Sequence, residues 1–192
     1  IGGVATAVAL SQRGIDYHLF ERAAEFGEVG AGIQMTPNAV KVIKAFGAWD
    51  ALNKVGFLPE ALVGRNWDTA EETFRMPLKS DCPRLYGAEF FHVHRADLHH
   101  LLADMVDRSK VTFSIRCTGV SQTGDKAVAH FDDGSSFEAD LIIDRLFAMP
   151  CSATTILNLP VICAIARLSH STPPPTSWHR KPRSGSAPTA TS

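Results

Sequence analysis

Ile1-Gly2-Gly3-Val4-Ala5-Thr6-Ala7-Val8-Ala9-Leu10-Ser11-Gln12-Arg13-Gly14-Ile15-Asp16-Tyr17-His18-Leu19-Phe20-Glu21-Arg22 is the stretch that decides the fold. A run of small and aliphatic residues over 3–13 suits a helix packed closely on a sheet, and Gly14 suits its C-terminal stop. Residues 15–21 then read as a short strand ending in an acid. Small residues opening a helix let backbone N–H groups approach a phosphate. An acid ending the following strand suits a ribose hydroxyl, as in a dinucleotide-binding βαβ unit. In that reading Gly2 and Gly3 close the glycine loop and Glu21 is the ribose ligand. The strand and first glycines of the full fingerprint are absent, so the chain is expected to be a fragment.

Outward from this stretch, residues 28–32 form a glycine-rich loop, and Thr36-Pro37 has the form of an N-cap followed by proline in the first helical position. Val40, Ile43, Phe46, Trp49, Leu52 and Val55 recur every three residues. That spacing predicts one apolar stripe on two consecutive helices, bent near Gly47. Residues 63–67, 73–76 and 89–93 are strand candidates between Pro, Gly and Asp turn signals. Arg95-Ala96-Asp97 opens a helix with Leu98, Leu101, Leu102 and Met105 on one face. Val111, Phe113, Ile115 and Cys117 alternate as a half-buried strand. Residues 126–131 and 137–143 form a hairpin around Asp132-Asp133-Gly134-Ser135, and Leu141-Ile142-Ile143 is apolar enough for a sheet centre.

Beyond Ile143 the pattern fails. The last 49 residues hold seven of the chain's eleven prolines and are rich in Ser and Thr. Such a composition buries too little apolar surface to offset chain entropy, so 144–192 is expected to be an aberrant, largely disordered tail.

Bulk composition narrows the function classes. With 192 residues, 45% hydrophobic and 20% charged, the chain is of ordinary globular type, one domain or a domain and part of another. A net charge of −1 makes no electrostatic case for nucleic acid or an anionic membrane. Residues 153–168 are too short and broken to span a bilayer. Cys82, Cys117, Cys151 and Cys163 show no paired spacing, which fits reduced thiols in a cytoplasmic protein. His92, His94, His99 and His100 lack the spacing of a metal site, so no metal is expected.

Residues 1–143 resemble the class A flavoprotein monooxygenases, the aromatic hydroxylases typified by salicylate hydroxylase and para-hydroxybenzoate hydroxylase. Four segments carry the likeness: Ile1-Gly2-Gly3, Leu19-Phe20-Glu21-Arg22, the run Gly27-Glu28-Val29-Gly30-Ala31-Gly32-Ile33-Gln34-Met35-Thr36-Pro37-Asn38-Ala39, and His94-Arg95-Ala96-Asp97-Leu98. The resemblance implies an α/β fold: an incomplete Rossmann-like FAD-binding βαβ domain of the glutathione reductase type over 1–143, with substrate-domain strands inserted at 57–93. It implies FAD as cofactor and NAD(P)H as co-substrate, with a small phenolic or benzoate-like substrate and O2 as reaction partners. By the same resemblance Gly2, Gly3, Glu21, Arg22, Gly30, Ala31, Gly32, Arg95 and Val120 would contact FAD. Glu21 would hold the adenosine ribose, Arg95 the phosphate and ribityl region, and Val120 would lie near the adenine. No catalytic side chain is implied, because the redox chemistry belongs to the cofactor.

The chain departs from the family after Ile143. There a Gly-Ala-Asp-Gly stretch is expected, and Asp144-Arg145-Leu146-Phe147 stands instead. The expectation is therefore a tail read out of frame or mis-spliced, which a continuous in-frame transcript would refute. The chain by itself is expected not to hydroxylate and to hold FAD weakly or not at all. The rival expectation is a non-catalytic remnant or interaction domain.

Overall fold

The computed structural model describes residues 1–27 and 30–143, and the backbone of a strand at Ile162–Arg167. The expectations for Glu28 and Val29 and for the rest of the tail, including Asp144-Arg145-Leu146-Phe147, lie outside the described residues. The architecture is mixed α/β. Helix α1 (Gly2–Ser11) leads through a turn, with Gly14 at φ 65°, into strand β1 (Asp16–Glu21). Strand β2 (Gly32–Met35) precedes α2 (Pro37–Ala45) and α3 (Trp49–Val55). Strands β3 (Leu62–Arg65) and β4 (Glu72–Met76) form a hairpin, followed by α4 (Leu78–Tyr86), β5 (Phe91–His94) and α5 (Arg95–Ala103). Beyond them come β6 (Val111–Thr112), β7 (Cys117–Thr123), β8 (Lys126–Phe131), β9 (Ser136–Ala139), β10 (Leu141–Ile143) and β11 (Ile162–Arg167).

Four sheets result among the described residues. The largest has the order β10-β11-β1-β6. Strand β1 runs parallel to β6, and both β1 and β10 run antiparallel to β11. Three strands of this sheet therefore share one direction, and β11 opposes them from an inner position. Strands β2 and β5 pair antiparallel, as do β3 and β4, and β7-β8-β9 is a meander.

Alternation along β1 builds two cores on opposite faces of the sheet, because successive side chains in a strand point to opposite sides. Tyr17 and Leu19 join Val4, Ala7 and Val8 of α1, Val40 and Ile43 of α2, Leu52 of α3, Phe91 and Val93 of β5, and Leu98 and Leu102 of α5. Phe20 turns the other way and packs with Ala129, Phe131 and Ala139 of the meander. Phe20 and Phe131 lie 4.6 Å apart between ring centroids, within the range of favourable aromatic pairing.

The two-helix stripe forms as the spacing predicts, with Thr36 at the N-cap, Pro37 in the first helical position and Gly47 at φ 77° between the helices. Thr36 makes no capping bond to the backbone; its hydroxyl turns to Asn38. Val40, Ile43, Phe46 and Leu52 are buried, but Val55 is 44% exposed, since α3 ends there and the chain leaves the core at Gly56.

Three local expectations are corrected. The alternating run from Val111 to Cys117 is not one strand. Ser114 takes φ 57°, and the N–H groups of Ser114 and Ile115 donate to the carbonyls of Ala23 and Glu21, so the chain folds over the end of β1 and restarts at Cys117. Leu141-Ile142-Ile143 ends the four-stranded order rather than occupying its centre, and Leu141 and Ile143 stay exposed. The segment 57–93 holds a helix, α4, that the sequence reading leaves out. Pro83 sits inside α4, and Gly87 closes it at φ 69° by donating to the Pro83 carbonyl. In the stretch expected to be aberrant and largely disordered, the described residues Ile162–Arg167 form β11.

Candidate functional site

Glu21 ends β1 in a buried position, 6% exposed, and its Oε1 accepts the Ala23 N–H at 2.8 Å. A carboxylate so deeply buried must be hydrogen-bonded, and the two-residue return to Ala23 meets that need for one oxygen only. Among the described residues no bond engages Oε2, so that oxygen can accept from an outside donor. Arg22 follows as an exposed side chain.

Helix α1 folds back on β1 through a short turn and packs against it, which brings the helix N-terminus to the end of the sheet where Glu21 sits. Ile1 at the N-cap provides no side-chain acceptor and the first turn carries no acid. The first N–H groups of a helix have no partner inside it, so Gly2 and Gly3 present donors there together with the positive end of the helix dipole. A Cβ built at Gly2 would meet nothing within 4 Å, so the approach is open.

Gly30, Ala31 and Arg95 meet although 65 residues separate the first from the last. The Arg95 N–H donates to the Ala31 carbonyl at 3.1 Å, and the Arg95 stem lies directly on Gly30. Gly30 has φ 150°, and a Cβ there would come 2.3 Å from Arg95 Cδ. Both the backbone conformation and the close approach require glycine. Gly32 begins β2, opposite His94. No ion pair joins Arg95 to Asp97 among the described residues, so the guanidinium is not committed to its helix neighbour.

One turn beyond Arg95 on α5, His99 is 8% exposed, and its Nδ1 has no hydrogen-bond partner among the described residues. Its pKa is pushed down to about 4, first by burial and then by neighbours that include the guanidinium groups of Arg95 and Arg108. Phe26 packs edge-on against His99 at 5.1 Å and against Phe113 at 4.9 Å, and the Arg108 guanidinium lies over the Phe26 ring at 4.8 Å. Phe26 thus tethers the segment running from Glu21 toward Gly30. Sequence reading assigns no role to Phe26 or Arg108 and sees in His99 only that it lacks the spacing of a metal site. Only the phenylalanine's position between two charged segments could have flagged it.

Of the nine residues expected to contact a cofactor, Gly30, Ala31 and Arg95 touch one another and Gly32 begins β2, while Gly2 and Gly3 open α1 and Glu21 ends β1 with Arg22 after it. Val120 is half-buried in β7 of the meander, paired with Ala129. Among the described residues no three His, Cys, Asp or Glu side chains converge as a metal site. No helix of the described residues is long and apolar enough to cross a membrane.

The donor set fits a diphosphate-bearing nucleotide: a guanidinium and helix N–H groups for the phosphates, and a half-satisfied buried carboxylate for ribose hydroxyls. Over 143 residues, 74% of this chain, it is 38% identical to the 3-amino-4-hydroxybenzoate 2-monooxygenase of Streptomyces cremeus. Over the same length it is 36% identical to the 6-hydroxynicotinate 3-monooxygenase of Pseudomonas fluorescens. The crystal structure of Klebsiella pneumoniae HpxO complexed with FAD and uric acid aligns with 73% of the chain at 31% identity and a TM-score of 0.64.

The two curated relatives are monooxygenases by name, and the HpxO structure holds FAD and uric acid.

The chain spans 36–37% of the length of these two curated relatives and 35% of the HpxO chain. No family model matches it.

Proposed function

We propose that this chain supplies the ADP-binding part of an FAD-dependent, NAD(P)H-consuming hydroxylase of small aromatic compounds, on a Rossmann-like scaffold of the glutathione reductase type. The carrying observation is the meeting of Gly30 and Ala31 with Arg95, in a chain whose β1 ends in the buried Glu21. Glu21 holds the adenosine ribose through Oε2, with Oε1 kept in place by Ala23. Gly2 and Gly3 offer backbone N–H groups to the diphosphate, and Arg95 pairs with its charge from the other side. Glycine at 30 and 32 lets the backbone come close to the cofactor, while Arg22, Ala31 and Val120 complete the contacts. The redox chemistry, electrons from NAD(P)H and an oxygen atom from O2, is what the flavin supplies when bound.

Titrating FAD with the full chain and following flavin fluorescence tests this reading. Weak but saturable quenching is expected, weakened on the order of tenfold or more in Arg95→Ala and in Glu21→Gln, since each loses a charge-assisted hydrogen bond. No NAD(P)H oxidation stimulated by a phenolic acid is expected from the chain alone. Absence of saturable quenching, or variants that bind as the native chain does, would sink the proposal.

A further inference from the structure

Strand β11 runs against its neighbours on both sides. In the order β10-β11-β1-β6 the other three strands share one direction and β11 alone opposes them. Sheets of otherwise parallel strands commonly take an antiparallel strand at an edge. Here the odd strand is an inner one. All six positions of β1, from Asp16 to Glu21, have a partner on it, from Arg167 back to Ile162. On its other side it pairs with Leu141, Ile142 and Ile143 of β10. Strand β6 meets β1 only at Leu19 and Phe20, and among the described residues β10 has no other strand partner in the sheet.

Burial requires a strand in that place. Tyr17, Leu19, Phe20 and Glu21 are buried, and a core covers each face of β1. A strand so enclosed cannot leave its N–H and C=O groups unpaired. Without an occupant, β1 and β10 would stand roughly 9.6 Å apart, two strand spacings, with unpaired edges facing each other. Helix α1 shows which strand the place suits. It packs against both β1 and β11, as a crossover helix lies over the two strands that it joins. A strand that leads through α1 into β1 runs beside β1 and parallel to it. The position beneath α1 suits such a strand, and β11 holds it in the opposite direction.

We propose that the space between β1 and β10 is a strand-binding slot that takes an extended apolar segment parallel to β1, and that Ile162–Arg167 fills it as the chain's own replaceable substitute. Main-chain pairing with two open edges supplies the affinity, as when a peptide adds a strand to a sheet. The segment must be apolar because a strand covered on both faces has no polar side. Tethering favours the substitute, since a segment of the same chain competes at an effective concentration of about millimolar. The slot turns on backbone pairing alone and stands or falls apart from the cofactor reading.

Cysteines placed at the strand ends of the full chain test this. Asp16 and Arg167 are register partners, whereas a parallel β11 would set Asp16 against Ile162. Mild oxidation of Asp16→Cys/Arg167→Cys is expected to give an intramolecular disulfide, mapped by mass spectrometry to separate it from the native cysteines. Asp16→Cys/Ile162→Cys is expected to give none, and the reverse result would overturn the placement of β11. Replacement is followed with a synthetic peptide of the length of β11, made of Val and Ile with a lysine at each end. At about millimolar concentration, equal to that of a tethered strand, it should roughly halve the Asp16→Cys/Arg167→Cys cross-link. The chain already cross-linked should not bind it. An unchanged yield, or equal binding to the cross-linked chain, would make β11 a fixed strand and sink the proposal. A proline at the peptide's centre removes a ladder donor and should abolish the effect, so an equally active proline peptide would reveal mere apolar adhesion. Direction is read on Asp16→Cys alone: a peptide with cysteine at its N-terminus should form the mixed disulfide and one with cysteine at its C-terminus should not. The opposite preference would refute a parallel slot.

Discussion

Gly30 concentrates the demands of the candidate site into one residue. Its φ of 150° belongs to a region that other residues enter only under strain, and the space a Cβ would need is filled by the Arg95 stem. Gly30→Ala is expected to cost on the order of 1–3 kcal/mol of stability from backbone strain alone and to push Arg95 off the Ala31 carbonyl. Urea unfolding reads the first effect and loss of FAD quenching the second. A variant with native stability and native quenching would show that the contact is dispensable. Glu21 has a different dependence: its return bond to Ala23 uses one oxygen and leaves the other for a ligand. The type and spacing of these residues are legible in the sequence. The clash at Gly30 is not, because it depends on where a side chain 65 residues away comes to lie.

Among the elements, β1 does the most to organise the molecule. Its two faces serve two cores, and the outer one is small: Phe20, Ala129, Phe131 and Ala139, with a few half-buried neighbours. Phe131→Ala is expected to destabilise the chain by about 3–5 kcal/mol, because the loss of a large buried ring leaves a cavity that a four-residue cluster cannot close. A shift of the urea midpoint at unchanged slope checks this, and a shift worth less than about 1 kcal/mol would mean that the meander is not coupled to global unfolding. The elements that period alone predicts, α2, α3, α5 and the β8–β9 hairpin, form close to where the spacing puts them. The misread ones have a tertiary cause. Val111 to Cys117 alternates well enough for a strand, yet its N–H groups at Ser114 and Ile115 find partners at the end of β1 and the strand breaks. Helix α4 offers only Leu78 and Cys82 as buried positions and carries Pro83, so its sequence looks like a loop.

At the scale of the whole molecule, the buried His99 links the candidate site to global stability. Its pKa in the fold, about 4, lies below the ordinary 6.5, with burial the leading cause. The unfolded chain therefore takes up a proton at a pH where the folded chain does not. The stabilisation is complete above pH 6.5 and is lost as pH falls from there toward 4, amounting to roughly 2–3 kcal/mol at the lower limit. Urea unfolding across this range should show the loss, and His99→Phe should flatten that part of the profile. A native chain whose stability is constant between pH 6.5 and 4 would contradict the assignment. Protonation would also place a third positive group beside Arg95 and Arg108, next to the Phe26 tether.

What the sequence determines by itself is local: the small-residue helix that leads to an acid-ended strand, the stop at Gly14, the apolar stripe from Val40 to Leu52 and the glycine run before β2. Each is written in a period of two or about three and a half residues, or in the conformational needs of glycine and proline, and neither depends on distant parts of the chain. Residue types in order also suffice for the likeness to aromatic monooxygenases. The tertiary structure alone decides which of these pieces meet. It lays Arg95 on Gly30, sets β11 beneath α1 between β10 and β1, and leaves Val55 and Phe57 facing solvent. The reason is physical. Register across strands and contact between distant helices follow from long-range closure and shared burial, which no local window of residues encodes.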